Sequence, residues 1–276
     1  MNARSLEALL AQADSIPAVP GLVPSMLARL RDEDASADQL TASLSHDPVL
    51  VARLLRAANS GAFHTSGPID SVQKSIMVLG VRRVRDIAVT VAIMGVMERA
   101  PPPFDIRVLR RHSLGAAVCA RSVAHRVGAD ADHAFTAGLL HDLGQLLIAT
   151  LLPVPYAELL QRCARERRHI IHAERELLGT DHAEIGGELV RRWGLPGEIV
   201  AAVAGHHDPT ASHLALTLHL SEVISHALDL DENAHNLVPH LMDGVARRLN
   251  LGFHELAHHF GEIEARFQSN RLALGI

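Results

Sequence analysis

The sequence predicts an all-α fold built from many short helices. Capping-box patterns precede apolar runs, glycines end those runs, and alternating apolar and polar segments around Asn-Gly or Asp-Gly turns are absent. Asp70 and Gln73 have the spacing of a capping box, and Gly80 ends the helix that they begin. Asp181 and Glu184 repeat the pattern later in the chain. These start and stop signals predict helices throughout.

Apolar periodicity between these signals gives the order of the elements. The predicted helices cover residues 4–13, 20–31, 37–45, 48–59, 70–79, 82–98, 106–127, 131–150, 155–167, 169–178, 182–193, 197–206, 212–229, 236–249 and 252–268. Consecutive prolines at 101–103 interrupt the series because they cannot continue a helix. We therefore predict an N-terminal helical half over 1–100, a histidine-rich half over 104–230, and C-terminal helices over 231–276 that pack on the core. The run 87–97 is apolar on nearly every side, which predicts a central helix joining the two halves.

Composition narrows the classes of partner. The 276 residues are 48% hydrophobic, and 26 basic residues against 31 acidic ones give a net charge of −5. This charge, with only 3% aromatic residues, argues against nucleic-acid binding. No uninterrupted apolar run reaches the roughly 18 residues of a membrane span, so we expect no membrane partner. The two cysteines, Cys119 and Cys163, form no disulfide framework, and we expect a cytoplasmic protein.

Histidine is the unusual feature of the composition, with 19 residues against a single lysine. Imidazole is the commonest metal ligand in proteins. His112 falls on the apolar stripe of its helix with Leu109 and Ala116, so it points inward. The next helix carries the adjacent pair His141 and Asp142, which offers one nitrogen and one oxygen donor to a divalent cation.

The remaining histidines of interest stand at helix ends. His182 begins one helix, and His206 and His207 end the next. Gly138 and Gly144 flank the His-Asp pair and would let another helix approach it. The candidate metal ligands are His112, His141, Asp142, His182, His206 and His207. Such a nitrogen and oxygen set would accept iron, manganese, zinc or nickel, although a hydrogen-bonded network of histidines without any ion is the alternative.

In an all-helical chain this order resembles the HD superfamily of metal-dependent phosphohydrolases, whose histidines and His-Asp pair hold one or two cations that activate water. The later histidines resemble the ligand set of the HD-GYP cyclic-dinucleotide phosphodiesterases. Three features depart from that pattern. No Gly-Tyr-Pro follows the double histidine, Gln145 stands where a lysine is usual, and Ser221, beside Glu222, stands where an aspartate is expected.

The N-terminal half is similar to the HDOD family, a group of HD-related output domains in bacterial signalling proteins. The similarity lies in four motifs: IPAVP at 16–20, HDP at 46–48, LLRAANS at 54–60 and SIMVLG at 75–80. It extends over residues 12–230. Membership implies an all-helical bundle in which a degenerate HD half is fused to a distinct N-terminal half, and a role in signal transduction.

The resemblance favours a regulatory protein without catalytic activity that keeps part of the HD metal site and acts through signalling partners. A small nucleotide is a further expected ligand. The alternative is a metal-dependent phosphohydrolase that acts on a nucleotide or a cyclic dinucleotide. The departures at Gln145 and Ser221 favour regulation over catalysis.

Overall fold

A computed structural model describes residues 37–45, 48–59, 68–97, 104–208, 210–232, 238–252 and 256–276. Every regular element within these residues is a helix, so the all-α prediction is confirmed. The helices are α1 Ala37–Leu44, α2 Pro48–Ala58, α3 Val72–Leu79, α4 Val81–Met97, α5 Ile106–Val127, α6 Ala131–Leu140, α7 Leu143–Leu151, α8 Pro153–Glu166, α9 Ile170–Leu178, α10 His182–Arg192, α11 Gly197–Gly205, α12 His213–Ala227, α13 Val245–Arg248 and α14 Phe260–Leu274. The predicted helices at 4–13 and 20–31, the motif at 16–20 and the prolines at 101–103 lie outside the described residues.

Side-chain caps explain where several helices begin. The Asp181 carboxylate accepts a hydrogen bond from the backbone N–H of Glu184 at 3.0 Å, as the capping pattern predicts. In α3 the cap is Ser71, whose hydroxyl accepts from the backbone N–H of Lys74, one residue beyond the predicted cap. Gly80 ends α3 with a φ of 81°, a conformation that favours glycine.

Three predicted helices are wrong in extent. The predicted helix 131–150 is two helices, because the chain turns at His141 and Asp142 between α6 and α7. Within the predicted helix 236–249, the structure describes residues 238–249; of these, 238–242 have no regular structure and only the four residues of α13 are helical. The last helix extends over Phe260–Leu274 and so ends beyond the predicted residue 268, while residues 253–255 of the predicted helix lie outside the described part of the chain.

One apolar core runs through both halves of the chain. Its buried side chains extend from Leu40 in α1 to Leu274 at the end of α14. Helix α4 crosses this core, and Ile87, Ile93 and Met97 are each 1% exposed or less. The buried helix predicted from the apolar run is therefore present. The predicted division of the chain into parts over 1–100, 104–230 and 231–276 stays a prediction.

A smaller apolar cluster lies among α7, α8, α9 and α10 and contains Tyr156 and Ile185. The stretch Ala131–Leu151, which comprises α6, α7 and their turn, has the length and mean hydropathy of a membrane span, but 78% of its apolar window is buried inside the protein. Such burial is typical of a core helix.

Candidate metal centre

The turn between α6 and α7 places His141 and Asp142 at the centre of the histidine-rich half. Gly138, one turn before it, packs so closely on α5 that a Cβ there would lie 2.5 Å from the Cα of Ala117. A Cβ on Gly144 would overlap the backbone carbonyl of His182 at the start of α10. Glycine is required at both close approaches. The two glycines therefore bring α5 and α10 to opposite sides of the His-Asp turn.

Asp142 divides its two carboxylate oxygens between different imidazoles. Its Oδ2 lies 3.2 Å from Nε2 of His112 and 3.4 Å from Nε2 of His141. Its Oδ1 lies 3.4 Å from Nε2 of His182 and 4.0 Å from Nε2 of His206. One carboxylate thus faces four imidazole nitrogens contributed by four different segments of the chain.

His207 joins the group through His182, because their Nε2 atoms are 3.2 Å apart. The rings of His206 and His207 are also in contact, with centroids 4.0 Å apart and planes tilted by 46°. The structure therefore brings all six candidate ligands of the sequence into one cluster. Their role as ligands stays a prediction.

In two of the imidazoles the second ring nitrogen is hydrogen-bonded to the backbone. His141 Nδ1 lies 2.9 Å from the carbonyl oxygen of Gly138, and His206 Nδ1 lies 2.7 Å from that of Val203. Because a carbonyl only accepts, these Nδ1 atoms are the ones that carry protons. Nε2 in each ring then points its lone pair or proton into the cluster, as metal-binding histidines do.

His182 is oriented by a carboxylate that the sequence interpretation missed. Glu174 Oε2 accepts from Nδ1 of His182 at 2.7 Å and from its backbone N–H at 2.9 Å. The Tyr156 hydroxyl donates to Glu174 Oε1 at 2.6 Å. Glu174 is completely buried. The available signal was its place on the apolar stripe of α9 between Ile171 and Leu178, where a charged residue needs a partner.

Two further carboxylates lie beside His112. Asp231 Oδ2 is 3.7 Å from Nδ1 of His112. Glu222 is 7% exposed and lines a cleft together with His112 and Asp231. The Ser221 hydroxyl turns away and donates to the carbonyl of Thr217 at 2.6 Å. Position 221, where the HD pattern has an aspartate, therefore carries no acid, but the carboxylate of the next residue, Glu222, lies close by.

The charge states of the cluster follow from burial and from its carboxylates. Burial opposes a charged imidazole, but neighbouring carboxylates outweigh it and raise the pKa of His112 to about 10 and that of His182 to about 9. Burial lowers the pKa of His141 to about 4 and that of His206 well below its ordinary value, since neighbouring imidazoles add repulsion. Burial raises the pKa of Asp142, but its imidazoles reverse this and hold it well below 3.8.

The raised pKa values favour the protonated form of His112 and His182, and the lowered ones favour the neutral form of His141 and His206. His112 and His141 face each other through Nε2 atoms 3.1 Å apart, a contact that one shared proton satisfies. The pair His182 and His207 has the same arrangement. A metal ion that binds imidazole nitrogens takes the place of such protons.

Unsatisfied buried atoms test whether a cation fits. Asp142 Oδ1, His206 Nε2 and Glu222 Oε2 are buried and make no hydrogen bond within the described part of the chain. Buried polar atoms without partners are costly, and several at one point indicate an absent ligand. Imidazole with carboxylate suits a borderline divalent cation. The residues present therefore fit a transition metal.

A cleft of about 420 Å³ opens onto one side of the cluster. His112, Asp142, Gln145, Glu222 and Asp231 line its polar wall. The volume lies within the range of small-molecule sites. A small ligand in this cleft would touch the Asp142 side of the cluster, whereas His141, His182 and His206 are completely buried behind it.

Comparison with known proteins gives the family. The HDOD domain matches residues 16–209, more than two-thirds of the chain. The chain belongs to the HDOD family. This match confirms the family resemblance predicted from the motifs. Residues 46–47 of the HDP motif lie outside the described residues.

Solved structures share the whole architecture of this HDOD protein. An HDOD domain protein of unknown function from Geobacter sulfurreducens superposes with a TM-score of 0.77 at 25% identity, over 96% of this chain and 97% of that one. A protein of Shewanella amazonensis described as a "putative phosphohydrolase" superposes with a TM-score of 0.75 at 26% identity, over 97% and 96% of the two chains.

Curated relatives match only in part. A protein of Treponema pallidum is 24% identical over 199 residues, which are 71% of this chain and 38% of that protein. Ribonuclease Y of Thermus thermophilus is 36% identical over 99 residues, which are 36% of this chain and 12% of the enzyme. The chain thus spans well under half the length of the curated relatives that it matches.

Proposed function

We propose that this HDOD protein is a metal-binding regulatory protein whose histidine cluster holds a transition metal ion and whose signal passes to protein partners. One observation carries the metal proposal: the carboxylate of Asp142 stands between four imidazole nitrogens while its Oδ1 and the Nε2 of His206 are buried without a hydrogen bond. A cation would satisfy both atoms.

The residues that would hold the ion are the six of the cluster, with Glu174 fixing the ring of His182. A bound divalent ion supplies Lewis acidity and lowers the pKa of coordinated water. Iron, manganese, zinc and nickel all accept this donor set. The donor set itself does not choose among them.

The regulatory part of the proposal is supported by what stands around the cluster. Ser221 has no carboxylate, and its hydroxyl donates to the backbone carbonyl of Thr217 instead of facing the cluster. Three of the candidate ligands are wholly buried, so only one edge of the cluster faces the cleft.

Metal content tests the proposal directly. The protein is purified without added metal or chelator, and its metal is measured by mass spectrometry. We expect bound transition metal, and we expect Asp142→Ala to reduce it to below about a tenth because the carboxylate shared by the imidazoles is lost. Asp70→Ala is the matched control, since Asp70 is exposed and its ion pair is with the exposed Lys74. Unchanged metal in Asp142→Ala would show that the ligand assignment is wrong.

Metal-dependent phosphohydrolysis is the second candidate function. The cleft of about 420 Å³ beside Asp142 and Glu222 favours it, as does the likeness to the Shewanella protein described as a "putative phosphohydrolase". The partial match to ribonuclease Y adds RNA to the substrates to be tested.

We expect negligible hydrolysis of cyclic dinucleotides and of single-stranded RNA, because position 221, where the HD pattern has an aspartate, is a serine whose hydroxyl donates to the backbone carbonyl of Thr217. The assay uses protein of measured metal content with added manganese or iron. Efficient metal-dependent turnover that disappears in His141→Ala would favour the hydrolase over the regulatory proposal.

A further inference from the structure

A second cleft, of about 410 Å³, lies on a different set of helices from the histidine cluster. Helices α4, α5, α6 and α14 all contribute residues to its wall. Four guanidinium groups line it, from Arg82, Arg83, Arg121 and Arg266, against the single lining carboxylate of Asp86. In a chain of net charge −5 this concentration of arginine is a local exception.

The inner guanidinium is held in place by packing and ion pairing. Arg121 donates to both carboxylate oxygens of Asp86, at 2.5 and 2.8 Å, and its side chain is only 16% exposed. Its guanidinium also lies 4.1 Å above the ring of Phe135. Arg83 spans to the last helix, where it donates to the Ser269 hydroxyl at 2.9 Å. The back of the cleft is therefore preorganised.

The two outer arginines stand at the rim. The side chains of Arg82 and Arg266 are 69% and 48% exposed. Arg82 pairs with Asp132 at 3.8 Å, and Arg266 pairs with Glu262 at 2.6 Å. Exposed ion pairs of this kind are weak, so an incoming anion can compete with them. Even with Asp86, Asp132 and Glu262 counted against the four arginines, the cleft keeps a positive charge.

We propose that this arginine cleft binds a phosphate-bearing metabolite of about mononucleotide size. Guanidinium groups bind phosphate oxygens bidentately, which makes arginine the preferred residue for such anions. The apolar side chains of Leu79, Val118 and Phe135 line the same space and suit a less polar portion of the ligand. The volume lies within the range of small-molecule pockets.

The position of the cleft gives the ligand a structural consequence. Its wall contains Arg82 from the N-terminal half, Arg121 from the histidine-rich half and Arg266 from the last helix. A phosphate that bridges these arginines stabilises the packing of all three parts. The inference is independent of the metal proposal, because none of the six cluster residues lines this cleft.

The test is calorimetric titration of the full chain with inorganic phosphate, pyrophosphate, 5′-AMP and 5′-GMP, with adenosine as the uncharged comparison. The variant is the double substitution Arg82→Gln/Arg266→Gln, which changes two rim side chains and leaves the buried Asp86–Arg121 pair intact. Arg107→Gln is the matched control, because its side chain is 83% exposed and lies outside this cleft.

We expect saturable binding of at least one phosphate-bearing probe, none of adenosine, at least a tenfold loss of affinity in the double variant, and unchanged affinity in Arg107→Gln. Absence of binding by every probe, or equal binding by the double variant, overturns the proposal. Binding that survives in the double variant and is lost in Gln145→Ala also overturns it, since the ligand then occupies the cleft beside the histidines, which Gln145 lines. Metal content is measured in the same samples. Phosphate binding is then assessed whether or not the protein holds a metal ion, so failure of one proposal does not decide the other.

Discussion

At the scale of single residues, the histidine cluster depends on how each imidazole is oriented. Nδ1 of His141 and of His206 is held by a backbone carbonyl one turn earlier, so the chain's own local geometry turns their Nε2 atoms inward. His182 begins its helix and has no such carbonyl. The Glu174 carboxylate takes that place from a neighbouring helix.

Glu174→Gln tests this orienting role. The amide can accept from only one oxygen, so the Nδ1–H or backbone N–H of His182, or the Tyr156 hydroxyl, loses an acceptor in a buried site. We expect metal affinity to fall about 10- to 100-fold and the free energy of unfolding to fall by about 1–3 kcal/mol. Competition with a chromophoric chelator measures the first, and urea denaturation measures the second.

Glu176→Gln is the matched control on the same helix, because Glu176 is exposed and its ion pair is with Arg168, away from His182. We expect it to leave both quantities nearly unchanged. Equal metal affinity in Glu174→Gln and the unaltered protein would show that the carboxylate does not orient the His182 ring for binding.

The six cluster residues could be predicted because each is a histidine or its neighbour at an inward or terminal helix position. Glu174 and Asp231 could not be predicted as readily, since no short spacing links them to their histidines. Glu174 lies eight residues before His182, and Asp231 contacts a histidine in a helix more than a hundred residues earlier. Contacts of that kind are set by helix packing, which a single sequence does not specify.

At the scale of elements, the turn between α6 and α7 shows a limit of periodicity. The stretch from 131 to 150 reads as one apolar helix because no proline interrupts it and its glycines suit close packing. The break is stabilised by tertiary contacts instead. The Asp142 carboxylate lies close to four imidazoles. The backbone N–H of Gln145 donates to the carbonyl of Asp142, three residues earlier, which makes a tighter turn than an α-helix. The His-Asp pair therefore lies in a turn and not within a helix.

The predicted helix at 236–249 fails for a related reason. The backbone N–H of Met242 donates to Nε2 of His219 at 3.2 Å, so this segment bonds to another element rather than to itself. Gly244, with a φ of 79°, then precedes the short helix α13. In both segments tertiary contacts, between Asp142 and imidazoles in the first and between Met242 and His219 in the second, override an apolar pattern that is otherwise consistent with a helix.

Gly144→Ala tests the close approach of α7 to α10. The added methyl group would meet the backbone carbonyl of His182, which cannot move without displacing the cluster. We expect the free energy of unfolding to fall by about 1–3 kcal/mol, as in other overpacked cores. Gly95→Ala is the control, because a Cβ there meets nothing within 4 Å. As a helix-interior glycine, it should gain about 0.5–1 kcal/mol from the change. Equal stabilities of the two variants would contradict the close packing.

At the scale of the whole molecule, the two halves share one core rather than a thin interface. Helix α4 packs against α2 and α3 on one side and against α5 and α6 on the other. The ion pair between Asp86 in α4 and Arg121 in α5 links the same halves at the arginine cleft. The histidine cluster and the arginine cleft both contain side chains of α5, His112 and Arg121, so both sites adjoin the shared core. No coupling between the two sites follows from proximity alone.

Ile93→Asp tests this architecture. Ile93 lies in the middle of α4 and is completely buried, so the substitution places an unpaired carboxylate in the shared core. We expect a loss of more than about 4 kcal/mol in the free energy of unfolding, measured by thermal and urea denaturation. Met77→Asp is the matched control, since Met77 is 80% exposed and its change should stay within about 0.5 kcal/mol. If Ile93→Asp fails to accumulate as folded protein, Ile93→Ala should still cost about 2–5 kcal/mol by leaving a cavity. A melting temperature unchanged by either substitution would mean that α4 lies at the surface and that the two halves do not share a core.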